Sequence, residues 1–178
     1  MKFVDVNGEG RYHQMFLKLA LQNPDFDLGM ARILLGAGSN PNDDNAWPVP
    51  IAIYFGSAPL LAAVLAAGGD PNRLDVLDTP VFFTAAERPQ LLAQLLAGGA
   101  RIEATDYARR TLLLEAVRGR NWQAANVLLD LGANRQATDH HGRDLRALLL
   151  EAREEDVSNG RAVQPGFAAM EARLDAGR

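Results

Sequence analysis

The residues best suited to chemistry in this chain lie close together: His140 and His141 side by side, with Asp144 three positions further on. Imidazoles and carboxylates are ligands that a catalytic zinc or iron uses, provided a third strong donor stands at a fixed spacing. Adjacent histidines point in different directions, and no such donor follows, so turn histidines are expected and no metal is expected. The stretch NPNDDN (Asn40–Asn45) opens like a calcium loop. Its sixth position is Asn45 where the sharp turn needs glycine, and its twelfth is Ile51 where a bidentate glutamate would stand. Gly8 and Gly10 lack the third glycine of a dinucleotide-binding turn. Ser57 and Ser158 have no histidine placed near them by any motif, and the carboxylate pairs Asp43–Asp44 and Glu154–Glu155 read as solvated charge. The chain has no cysteine, which removes disulfides, thiolate zinc sites and thiol nucleophiles together. A protein that is not an enzyme and holds no cofactor is the expectation.

The composition narrows the partner. The 178 residues carry a net charge of −4, and sixteen of the eighteen basic residues are arginine. A mildly acidic chain gives no reason to expect nucleic acid as the main ligand, because such binders present a basic face. No apolar run is long enough for a signal-peptide core or a membrane span, so a cytoplasmic protein without a membrane partner is expected. Richness in Ala, Leu and Arg with scarce Lys is associated with bacterial chains from GC-rich genomes.

What must position these residues is visible as a repeated phrase: LLGAGSNPN, VLAAGGDPN, LLAGGARIE and LLDLGANRQ. Its glycines, Gly38, Gly68, Gly99 and Gly132, lie 30, 31 and 33 residues apart, a period that signals stacked repeats. Apolar residues at helical spacing lead into each glycine, and glycine tolerates the positive φ needed just past a helix end. A second helix must lie between successive phrases, starting near Trp47, Thr79 and Thr111. Thr as helix cap and Pro at the first helical position mark those starts.

DTPVFFTAA and DYARRTLLLEAVRGRNWQAANVLLDLGANRQATD resemble the ankyrin repeat, whose unit of about 33 residues opens with a T-P-L-H-x-A helix. The resemblance runs from about Asp5 to Glu154 and implies an all-α solenoid of about five helix-turn-helix units. These span approximately residues 5–41, 42–72, 73–105, 106–138 and 139–178, form a single domain, and have short hairpin-like connectors. The first unit has helices near Arg11–Gln22 and Leu28–Leu35, broken by NPD. The last helix, with Phe167, Met170 and Leu174 on one stripe, is expected to cap the fourth unit. Departures are clear: the family's histidine position holds Pro50, Phe82, Leu114 and Ala147, and its turn glycine is replaced by Asn45, Leu77 and Arg109 and kept only as Gly142. Counting from Pro80 to Gly99 against Leu112 to Gly132, the third unit has lost one residue near ERPQ.

In proteins resembling this one, connector tips and first helices line a concave face where a partner protein binds. Carried over to this chain, that face holds Asp43, Asp44, Tyr54 and Phe55 in the second unit and Asp78 and Glu87 in the third. It holds Tyr107, Arg110 and Arg118 in the fourth, and His140, His141 and Arg143 in the fifth. The face is expected to run from acidic to basic, with aromatics between, which suits a protein partner with its own charge pattern. A monomeric bacterial immunity protein against a toxin, or an adaptor, is the expected role. Two alternatives remain: a metal-dependent enzyme built on His140, His141 and Asp144, or nucleic-acid binding through Arg101, Arg109, Arg110, Arg118 and Arg120.

Overall fold

The computed structural model describes residues 9–22, 28–43, 46–162 and 165–176. The expected break at Asn23–Asp25 and the site residue Asp44, with Asn45, lie outside the described residues. The chain is all-α. Its helices are α1 (Glu9–Gln22), α2 (Leu28–Gly36), α3 (Pro48–Tyr54), α4 (Ala58–Ala66), α5 (Leu92–Ala97), α6 (Leu112–Arg118), α7 (Trp122–Asp130), α8 (Leu145–Ser158) and α9 (Pro165–Asp175). Two 3-10 segments, Val81–Glu87 and Pro89–Leu91, precede α5. Extended pairing among the described residues is limited to isolated bridges, Leu74 with Pro80 and Thr105 with Thr111.

The repeated phrase ends a helix each time by one mechanism. Gly38, Gly68, Gly99 and Gly132 all have φ between 88° and 97°. The residue after each glycine donates its N–H five positions back: Ser39 to Leu34, Gly69 to Val64, Ala100 to Leu95 and Ala133 to Leu128. This is the Schellman closure, in which a left-handed residue lets the last carbonyls find donors.

Helices pack in two rows. In one, α3 lies against the Val81–Glu87 segment, which meets α6, and α6 meets α8. In the other, α2 packs on α4, α4 on α5, and α7 on both the Pro89–Leu91 turn and α9. The last helix therefore lies on the fourth pair, as its stripe predicts, and also on α8, so that it pairs with α8 as the second helix of the fifth pair. Phe167 meets Trp122 edge to face at 6.2 Å. Gly166 lies so close to that indole that a Cβ would come within 2.3 Å of Cδ1. Arg173 donates to the carbonyl and side chain of Asn126 at 3.2 and 2.9 Å, and Arg146 pairs with Asp175.

The third unit departs from the expected register. Thr79 does not cap its helix; its hydroxyl donates to the Leu77 carbonyl, and Pro80 occupies the cap position that Thr111 and Asp144 fill in later units. Phe83, rather than Phe82, is thus the counterpart of Leu114. The unit has lost two residues, not one. Arg88 alone separates the two helical segments, where Gly119–Asn121 separate α6 from α7. With no room for a normal turn, the chain winds as 3-10 helix, which is tighter in radius and longer per residue. The left-handed corner of this connector is likewise Asp78 (φ 54°) rather than Leu77, matching Arg109 (φ 57°) and Gly142 (φ 75°).

Amides stitch one connector to the next. Four residues after its glycine, Asn42 donates to the Gly68 carbonyl at 2.9 Å and accepts from Asp70 N–H at 2.7 Å. Asn72 repeats this on Gly99 and Arg101, each at 2.8 Å. Glu103 holds the same place but accepts only, from Asn134 N–H at 2.8 Å. A carboxylate has no donor for the Gly132 carbonyl.

Two outcomes follow for urea unfolding at neutral pH. Leu128 is fully buried between the rows, so Leu128→Ala is expected to lose about 2–5 kcal/mol by leaving a cavity. Asn72→Asp removes the donor and sets a carboxylate against a carbonyl; it is expected to cost about 1 kcal/mol. Glu103→Gln restores the donor and is expected to shift the midpoint the other way.

Candidate interaction face

Each first helix presents the same positions outward. Seven residues beyond the caps Trp47, Pro80, Thr111 and Asp144 stand Tyr54, Glu87, Arg118 and Glu151. Tyr54, Glu87 and Arg118 are exposed and Glu151 is half-buried. Four residues beyond the caps stand Ile51, Thr84 and Glu115, while the fifth unit has Leu148 there, buried in the core. Connector tips flank this row. In three of them an aspartate Oδ1 accepts two backbone N–H groups: Asp75 from Leu77 and Thr79, Asp106 from Ala108 and Arg110, Asp139 from His141 and Arg143. Each tip is closed by its aspartate, and the residue after it points outward: Val76, Tyr107 and His140 are all exposed.

The expected acidic-to-basic gradient is not what this arrangement produces. Arg110 lies on Asp106 at 2.8 Å and on Glu115 at 3.2 Å, and Arg118 lies on Glu115 at 2.6 Å. Arg143 lies on Asp139 at 2.7 Å and on Glu151 at 2.8 Å. Arg110, Arg118 and Arg143 are therefore neutralised by neighbours, and Arg110 and Arg143 serve to brace their own connectors. Arg120, with φ of 60°, is bonded to Asp156 at 3.0 Å, to Glu155 at 2.9 Å and to the Ala152 carbonyl. In the second and third units, Asp43 accepts from Ala46 N–H, and Asp75 is turned onto its own loop. Asp78 and Glu87 are exposed.

The aromatic residues carried over to the face are all exposed. Tyr54 is 74% exposed and Tyr107 70% exposed, while Phe55 meets Tyr54 edge to face at 5.4 Å and is less open. Arg110 lies over the Tyr107 ring at 5.8 Å. A groove runs between α3 and the Val81–Glu87 segment, with Trp47, Pro50 and Tyr54 on one side and Thr84, Glu87 and Arg88 on the other. Trp47 is half-buried and reaches both this groove and the small cavity under the first connector beside Asn42 and Asp43. Arg88 lies across Gly56 and donates to the carbonyls of Glu87 and Tyr54. Thr84 and Arg88 have no sequence signal of their own. They reach the groove because the shortened turn brings Arg88 beside the end of α3.

His140 and His141 come together, with ring centroids 3.8 Å apart. The Ala108 carbonyl accepts from both the His140 backbone N–H at 3.0 Å and its Nδ1 at 2.8 Å. Because a carbonyl only accepts, Nδ1 carries the proton, and the pair ties the fifth connector to the fourth. Asp144 is spent on capping α8 through Ala147 N–H at 2.8 Å. No group of three His, Cys, Asp or Glu residues among the described residues is placed to hold a metal ion.

Compared with known proteins, the chain matches no family model and no curated protein. No helix among the described residues is long and apolar enough to cross a membrane.

The Asp139 carboxyl has one clear pH consequence. Burial pushes its pKa up, but the Arg143 guanidinium and the N–H groups of Arg143 and His141 outweigh that and hold it at about 2, against 3.8 unperturbed. A depressed carboxylate stabilises the fold fully above its unfolded value and loses that contribution as pH falls toward the folded one. Asp139→Asn is expected to cost about 3 kcal/mol at pH 7, since it breaks a largely buried pair. In urea titrations the gap between the two proteins should narrow steadily from about pH 4 to pH 2; a gap independent of pH would contradict this account.

Proposed function

We propose that the chain is a non-enzymatic, ankyrin-type protein-binding module that takes a partner protein on the face built from its first helices and connector tips. The observation that carries the reading is the row of large exposed side chains along that face. Tyr54 and Tyr107 stand 74% and 70% exposed, and Val76 at the third connector's tip is 90% exposed. Buried elsewhere, such residues would contribute to a core; left open on one face, they are the side chains enriched in binding hot spots. The paired-helix stack, the shared glycine stop and the aspartate-closed connectors support the ankyrin resemblance, and the proposed repeats follow the unit bounds read from the sequence. A monomeric bacterial immunity protein that blocks a toxin is one form of this function, and an adaptor is the other. Tight one-to-one capture marks the first, weaker capture of several proteins the second.

The alternatives have less to work with. Arg110, Arg118 and Arg120 are held by carboxylates, which leaves nucleic-acid binding only Arg101 and Arg109 of its five expected arginines. Asp144 is committed to a helix cap and His140 Nδ1 to a carbonyl, which leaves little of the proposed metal cluster.

Affinity capture from cells of the source organism, followed by mass spectrometry, tests the proposal. The wild-type chain is expected to retain a protein that the Tyr54→Ala, Tyr107→Ala double variant loses, with thermal unfolding of the two within a few degrees. Capture of no protein, or capture that is indifferent to both tyrosines, would sink it.

A further inference from the structure

We propose that the groove between α3 and the Val81–Glu87 segment takes an arginine side chain presented by the partner protein, with Glu87 as its counter-ion and the rings of Trp47 and Tyr54 as its walls. The idea rests on the interaction face proposed above and names what one part of it recognises.

The charge pattern along the face leads to this site. At the seventh position beyond each cap, Arg118 finds Glu115 and Glu151 finds Arg143. Glu87 occupies the same position in the third unit, but the residue where Glu115 would stand is Thr84, which offers no charge. Among the described residues no cation pairs with the Glu87 carboxylate, although its own neighbour is Arg88. That guanidinium is turned onto the carbonyls of Glu87 and Tyr54 instead. At this seventh position the other charges, Arg118 and Glu151, are answered from within the chain, and Glu87 is left for something else.

The walls favour a planar cation. Trp47 and Tyr54 line the same groove as Glu87, and the ring faces of both attract a positive charge. Arginine suits such a site better than lysine. Its guanidinium can stack on a ring while donating sideways to a carboxylate, and it sheds water more readily than an ammonium. Apolar residues flanking that arginine would cover Pro50 and the exposed part of Phe55. An acidic side chain fits poorly, because the Glu87 carboxylate that lines the groove would oppose it.

The test is an amide NMR titration of the whole chain with three peptides: acetyl-Ala-Leu-Arg-Leu-Ala-amide and its analogues with citrulline or glutamate in place of arginine. The arginine peptide is expected to shift the amides of residues 47–55 and 84–88. Citrulline, which keeps the shape and loses the charge, is expected to bind on the order of tenfold more weakly. Glu87→Gln is expected to weaken the arginine peptide by a similar factor and to leave its binding equal to that of citrulline, with the remaining spectrum unchanged. No shift in the groove, or a preference for the glutamate peptide, overturns the proposal. Equal binding of arginine and citrulline overturns the ion pair while leaving the interaction face standing. The face itself fails only if partner capture ignores Tyr54 and Tyr107.

Discussion

Each helix pair in this chain leaves an apolar flank that only the next pair can cover. Leu60, Leu61 and Val64 on α4 are fully buried, as are Leu92 and Leu95 on α5 and Leu128 on α7, and α4 gains its cover from α2 and α5. Burial of each such side chain is worth about 1.5–3 kcal/mol, and that gain exists only while neighbours stay in register. Stacking is therefore the condition on which both the helices and the surface they present depend.

Register is held by polar groups where the apolar contacts are least directional. Asn42 and Asn72 each use both ends of an amide to tie one connector to the next, and Asn121 spans units by donating to the Ala86 carbonyl at 2.7 Å. The stack closes at its C-terminal end through charge as well as packing. Arg173 reaches α7, and Arg120 reaches α8 beside the buried Asp156.

The same economy of charge shapes the outer face. Arginines that read as a basic surface in the linear chain are mostly answered from within. Asp106 and Asp139 do two tasks at once, closing their connectors through backbone N–H groups and anchoring Arg110 and Arg143. What remains exposed on the candidate face is chiefly aromatic and aliphatic, with Glu87 and Asp78 as its exposed carboxylates. A partner taken on this face, as proposed, would be selected by shape and by a few placed charges rather than by a broad field.

The sequence by itself determined the helical class, the period and the place where each second helix stops, because a glycine at a left-handed position is a local requirement that no distant residue alters. The places of Tyr54 and Tyr107 were expected only through the ankyrin resemblance, and both side chains are exposed. Three things were decided only by the tertiary structure. The cap of the third unit moved from Thr79 to Pro80 because its shortened turn must still align with neighbours on both sides. The carboxylates that answer Arg120, Glu155 and Asp156, lie on α8 and came within reach only through stacking, whereas the pairs Arg110–Asp106, Arg118–Glu115 and Arg143–Asp139 are local in the chain. The groove holding Trp47, Glu87 and Arg88 joins residues from adjacent units, so it exists only once those units are side by side.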